Sequence, residues 1–125
     1  MNGTYDALIE NCTIVRNIDH NYASGVAFAS GGAIRNSIVW GNIGGPQLYS
    51  YSSFSNYFNC VQDWTGAGEN VSTNDPLLTM LDANDYHLLP GSPCRNSGTN
   101  LPWMASATGL GEEPRVLEGQ VDRGA

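Results

Sequence analysis

The segment Asn11-Cys12-Thr13-Ile14-Val15-Arg16-Asn17 returns 25 residues later as Asn36-Ser37-Ile38-Val39-Trp40-Gly41-Asn42. A weaker echo, Asn59-Cys60-Val61, follows after another 23 residues. Self-similarity at such a period marks a stacked architecture, because one turn of chain cannot bury its own apolar face and needs neighbours above and below to cover it. The repeat therefore constrains the surroundings of these residues as well as their local shape.

Up to about residue 64 the chain alternates short apolar runs with Asn and Gly. The runs are Ala7-Leu8-Ile9, Thr13-Ile14-Val15, Val26-Ala27-Phe28, Ala33-Ile34, Ser37-Ile38-Val39-Trp40 and Gln47-Leu48-Tyr49. Three or four residues are too few for a helix and suit narrow strands joined by tight turns. Asn tolerates left-handed backbone angles and bonds locally, so Asn11, Asn36 and Asn59 are expected at equivalent turns, bonded side chain to side chain as a ladder. Gly31-Gly32 and Gly44-Gly45-Pro46 mark bends. Strand alternation puts Cys12 with Ile14, and Ser37 with Val39, on the inner face, and leaves Thr13 and Arg16 outside.

The rest of the chain changes character. Residues 65–75 read as a loop, Pro76-Leu77-Leu78 and Tyr86-His87-Leu88-Leu89 as further strands around an acidic turn, and residues 98–125 as a strap lying over the end of the stack. The expected organisation is stacked turns over 1–97 and an irregular strap over 98–125.

At 125 residues and 41% hydrophobic content, the composition is that of one folded unit. All five basic residues are Arg against twelve acidic ones, a net charge of −7 that argues against nucleic acid as a partner. No run of 18 apolar residues exists to insert in a membrane, and the opening residues lack the layout of a signal peptide. Three Cys cannot all pair. If Cys12 and Cys60 sit in equivalent places two turns apart, roughly 9.6 Å separates them, too far for a disulfide. Buried free thiols are the preferred reading, and a Cys60–Cys94 bridge is the alternative.

Read in order, the segments resemble bacterial right-handed parallel β-helix proteins whose C-terminal part is a choice-of-anchor domain. The carrying motifs are the two long repeats, Asn59-Cys60-Val61-Gln62, Asp75-Pro76-Leu77-Leu78, Asp85-Tyr86-His87-Leu88-Leu89-Pro90-Gly91-Ser92-Pro93, Pro114-Arg115-Val116 and Val121-Asp122-Arg123-Gly124-Ala125. The resemblance implies an all-β fold, a short right-handed parallel β-helix of about three to four coils with an irregular C-terminal strap, here in truncated form. It also implies an extracellular or cell-surface setting. Arg95-Asn96-Ser97-Gly98 replaces the family's usual Ile-Asp-Ala-Gly, and Gly109-Leu110-Gly111-Glu112-Glu113 stands where an Asp-rich turn is common.

Some parallel β-helices are polysaccharide lyases or hydrolases, which need clustered carboxylates and, for the lyases, Ca²⁺ beside a basic residue. Asp75, Asp82 and Asp85 are the candidate Ca²⁺ ligands, although the ion takes six to eight oxygens. Arg16 and Arg35, with Glu10 close by, are expected to neighbour each other on an outer face. His87 is expected as a packed structural imidazole. No nucleophile elbow, Cys-Xaa-Xaa-Cys pair or phosphate loop is present. The aromatic stretch is a better lead: Tyr49, Tyr51 and Tyr57 are interleaved with Ser and flanked by Trp40 and Trp64. These five are the candidate sugar-contacting residues, and burial as half-covered strands is the competing reading. The preferred function is a non-catalytic surface or interaction module that contacts polysaccharide. A lyase or hydrolase and an oligomeric building block are the alternatives. Uncovered strand edges lead to the expectation of a homo-oligomer, as a two-fold dimer.

Overall fold

A computed structural model describes residues 7–80 and 83–125. Its first eight strands are β1 (Ala7–Glu10), β2 (Thr13–Val15), β3 (Val26–Phe28), β4 (Gly32–Arg35), β5 (Ile38–Trp40), β6 (Leu48–Ser50), β7 (Phe54–Tyr57) and β8 (Cys60–Val61). Each apolar run read from the sequence becomes one of these strands. The protein is all-β, and no helix among the described residues is long and apolar enough to cross a membrane.

Consecutive strands belong to different small sheets, so the chain visits three sheets in turn. β1-β4-β7 and β2-β5-β8 are three-stranded, and β3-β6 is two-stranded. All pairings are parallel, which aligns Ile9 with Ile34, Ile14 with Val39 and then Val61, and Val26 with Leu48. In-register pairing places like beside like, and the inward rows merge into one core of Val26, Phe28, Ile34, Val39, Leu48 and Val61. Ile34, Val39 and Val61 are fully buried, each contributing about 1.5–3 kcal/mol relative to exposure. Phe28 stacks on Phe54 at 5.2 Å and Phe54 meets Trp64 edge-on at 5.8 Å, closing one side of the core.

Residue type misaligns the third repeat by one position. Arg35 pairs with Tyr57 and Ile38 with Cys60, so the partner of Asn36 is Phe58 and that of Ser37 is Asn59. The left-handed corner confirms the phase, with φ of 50° at Asn11, 51° at Asn36, 53° at Phe58 and 53° at Asn70. Cys60 is thus one row away from Cys12. The stretch read as a loop over 65–75 extends the stack, through isolated parallel bridges Tyr57–Glu69 and Cys60–Ser72.

The parallel pairings end there, well before residue 97. β9 (Leu78–Met80) and β10 (Asp85–Leu88) pair antiparallel, and so do β11 (Val116–Leu117) and β12 (Gln120–Val121). Glu118 and Gly119, at φ 54° and 89°, form the two-residue turn of the latter hairpin. These elements cover the outer face of β2-β5-β8 instead of the end of the stack. Ile38, Cys60 and Cys94 make a second core there, with Trp40, Leu78 and Leu88 against it. Burial on both faces explains why Ile38-Val39 and Cys60-Val61 read as continuous apolar runs. Thr13, expected outside, is covered as well, and its hydroxyl accepts the Ala125 N–H at 3.0 Å.

Candidate functional site

Three tyrosines meet on the surface at the β3-β6 sheet. Tyr49 points outward from β6 beside Ala27 of β3, and Tyr51 follows directly, its N–H donating to the Phe28 carbonyl at 3.1 Å. Tyr22 is set by a turn in which the Asp19 carboxylate accepts the Asn21 N–H at 3.2 Å and the Tyr22 N–H at 3.5 Å. Asp19 is itself tied to the next repeat, its N–H donating to Ile43 at 3.0 Å. The rings contact edge-on, Tyr22–Tyr51 at 6.0 Å and Tyr49–Tyr51 at 5.0 Å, contacts worth on the order of 0.5–1.5 kcal/mol each. Tyr22 and Tyr51 nevertheless remain 62% and 60% exposed, and Tyr49 36%.

The electrostatics fit this geometry. Desolvation by its neighbours, then Tyr22 and Tyr49 themselves, push the Tyr51 phenol above its ordinary value, so it stays a neutral donor. The Asn21 N–H, with smaller help from Tyr22 and others, holds Asp19 below the usual carboxylate range. The Ser50 hydroxyl is committed locally, donating to the Ser52 carbonyl at 2.6 Å. The patch therefore offers two exposed rings, phenolic hydroxyls and the Asp19 carboxylate in the adjoining turn.

Of the five aromatic candidates, only Tyr49 and Tyr51 come together. Trp40 packs in the outer core. Trp64 packs on Phe54, its indole N–H donating to Ala67 at 3.2 Å. Tyr57 sits on β7, in a different sheet, next to Arg35. Tyr22 was not anticipated, because it lies in a loop with no apolar run around it; the short Asp19-to-Tyr22 turn is the signal that could have found it.

A second feature is a groove of about 260 Å³ between β10 and the C-terminal segment, lined among others by Tyr86, His87, Glu113, Arg115, Asp122 and Arg123. His87 Nδ1 lies 2.6 Å from Asp85 Oδ1, and this hydrogen bond is the main reason the Asp85 carboxyl is held low. The imidazole is exposed, contrary to the packed role expected for it. Arg115 donates to the Gly124 carbonyl, while its buried Nε has no partner among the described residues. Burial pulls the Arg115 and Arg123 guanidinium groups below their ordinary values, leaving them charged at neutral pH.

Two of the three metal candidates can be placed. Asp82 lies outside the described residues. Asp75 accepts the Leu77 N–H at 2.8 Å and Asp85 is engaged by His87. Among the described residues no group of three His, Cys, Asp or Glu side chains is placed to hold a metal ion. Arg16 and Arg35 are not neighbours: Arg16 follows β2, whereas Arg35 ends β4 and pairs with Glu10, its Nε at 2.7 Å.

The asparagine ladder also takes a different form. Asn36 bonds Thr99 rather than another ladder residue. Asn59 accepts the Ser37 N–H and donates to the Ile34 carbonyl, both at 2.8 Å. The Asn11 side chain has no hydrogen-bond partner among the described residues. Side-chain pairing between repeats occurs at their other end, where Asn17 donates to Asn42 Oδ1 at 2.9 Å, and Asn42 is held within its own turn by donating to Gln47 at 2.7 Å. Asn36 and Asn59 are thus scaffold positions that bond mainly the backbone, with one side-chain bond from Asn59 to Asn56 Oδ1 at 2.6 Å.

No family model, curated protein or solved structure matches the chain.

Proposed function

We propose that the chain is a short right-handed parallel β-helix of the kind found in bacterial repeat proteins with a choice-of-anchor part, and that it serves as a non-catalytic surface module contacting polysaccharide. The observation that carries this reading is the Tyr22–Tyr49–Tyr51 patch, two of whose rings keep most of their surface in water. Large apolar rings left exposed to solvent have their desolvation still to gain from a partner, and their hydroxyls fit sugar hydroxyls. The three parallel sheets, with pairing steps of 25 and 22 residues, support the helical part of the reading. An extracellular or surface setting follows from the resemblance. A two-fold dimer through the edge strands β1 and β2 belongs to the same reading, and a monomeric mass by light scattering at micromolar concentration would remove it.

The test is binding to a panel of neutral and acidic polysaccharides by affinity electrophoresis, comparing the protein with Tyr22→Ser/Tyr51→Ser. Losing two anchoring rings costs about 2 kcal/mol, or roughly a 30-fold weaker interaction. Equal retardation of both proteins, or none of either across the panel, would defeat the proposal.

The second reading is a polysaccharide lyase or hydrolase, favoured by the Asp85–His87 pair beside a groove that also holds Glu113 and Arg115. Incubation of the same panel with and without Ca²⁺ separates the two. New reducing or unsaturated ends that vanish in His87→Asn would make the protein an enzyme.

A further inference from the structure

Cys60 and Cys94 come from different layers, Cys60 from β8 and Cys94 from the segment that covers it, and both are fully buried in one cluster with Ile38. Their side chains share that small buried cluster, and each thiol perturbs the titration of the other. The backbone around them is fixed: Cys94 N–H donates to Ser92 Oγ at 3.0 Å, and the Cys60 thiol reaches the Asn74 carbonyl at 3.2 Å. Over the pair lies Arg123, itself only 8% exposed, whose N–H donates to the Cys94 carbonyl at 2.8 Å. Its side chain donates to the carbonyls of Asn59, at 2.7 Å, and Ser97, at 3.1 Å. No carboxylate pairs with Arg123 among the described residues. A buried cation with only carbonyl partners favours an anion nearby, and the two sulfurs are the groups placed to provide one.

We propose that Cys60 and Cys94 are a redox-active dithiol that closes reversibly to a disulfide, with Arg123 as the residue that positions and stabilises the attacking thiolate. The two thiols are inequivalent. The hydrogen bond from Cys60, aided by Arg123, draws Cys94 down against its burial, while the same contact and burial push Cys60 up. With Arg123 and Ser92 both bonded to the Cys94 backbone, Cys94 is assigned as the nucleophile and Cys60 as the resolving thiol.

With a small-molecule disulfide such as oxidised glutathione, the Cys94 thiolate attacks one sulfur and expels one glutathione thiolate, leaving a mixed disulfide. Cys60 then loses its proton, attacks the Cys94 sulfur and expels the second glutathione. Two protein thiols give up two electrons and two protons, and the oxidant leaves as two thiols. Because both sulfurs are buried, the exchange requires the covering segment to lift. Closure then links that segment covalently to β8.

The test uses the whole protein in glutathione buffers of increasing oxidising strength, quenched with acid and read by intact mass and peptide mapping. The expected product is 2 Da lighter, carries a Cys60–Cys94 linked peptide, leaves Cys12 alkylatable and returns to the starting mass with dithiothreitol. Its thermal midpoint should rise by about 10 °C, as expected for closing a loop of this length. Arg123→Lys should slow closure at neutral pH and shift its pH profile upward while the linked product stays the same. The proposal fails if both thiols remain alkylatable in the most oxidising buffer, if glutathione stays attached without closure, or if Cys12 is the partner that oxidises.

Discussion

Asn36 and Thr99 exchange two hydrogen bonds, Asn36 Nδ2 donating to the Thr99 carbonyl and the Thr99 N–H donating to Asn36 Oδ1, each at 2.8 Å. One buried side-chain amide thus substitutes for a strand and fastens the C-terminal layer to the left-handed corner of the stack, where Asn36 has φ 51°. Gly124 adds a third bond, its N–H donating to the Asn36 carbonyl at 2.7 Å.

Asn36→Ala should therefore destabilise the protein by about 2–4 kcal/mol, from two orphaned backbone groups and from Ala tolerating a left-handed conformation less well than Asn. Asn36→Gly removes the second cost and should lose roughly 1 kcal/mol less. Urea denaturation of the two variants measures both figures, and equal losses would show that the corner carries no strain.

Much of the stack was legible because three or four apolar residues between Asn and Gly leave few alternatives to a short strand, and β1 to β6 fell where those runs lie. Phase failed at the third repeat. Nothing in a Phe announces a left-handed corner, yet Phe58 takes it, its N–H donating to Glu69 at 2.8 Å while Asn59 moves on to bond Ser37. The outer layer was hidden because its partners are distant in sequence: Asn36 and Thr99 are separated by 63 residues. Two of the three patch tyrosines, Tyr49 and Tyr51, were visible as Tyr and Ser alternation, but Tyr22 reaches them only through the turn at Asp19.

Two aromatic substitutions should behave in opposite ways. Trp64→Ala removes a ring packed on Phe54 and the inner core and should cost about 2–3 kcal/mol of stability. Tyr51→Ser, at a residue 60% exposed, should cost under about 1 kcal/mol. Thermal melts of the two decide the matter; a large loss at Tyr51 would make the patch structural.

Gly44 has φ 106°, and an added Cβ would run into the Asp19 carbonyl. Gly44→Ala should destabilise by about 1–3 kcal/mol and release the loop that presents Tyr22. The check is a melt together with near-UV dichroism of the tyrosines, where an unchanged spectrum would separate Gly44 from the patch.

Acid should weaken the fold through carboxylates held low. Asp85, mainly by His87, and Asp19, mainly by the Asn21 N–H, lie below their ordinary value of 3.8 when folded. Such groups contribute stability above the unfolded value and lose it as pH falls through the folded one. The thermal midpoint should hold from pH 6 to about 4 and decline below, and Asp85→Asn should flatten part of that decline. A midpoint that rises below pH 4 would reverse the sign.

The most direct test of the functional account is an NMR titration of the protein with soluble oligosaccharides drawn from the polysaccharide panel, following backbone and tyrosine ring signals. The account predicts saturable shifts centred on Tyr22, Tyr49 and Tyr51, lost in Tyr22→Ser/Tyr51→Ser. Shifts confined to Tyr86, His87 and Arg115, or none with any oligosaccharide, would contradict it.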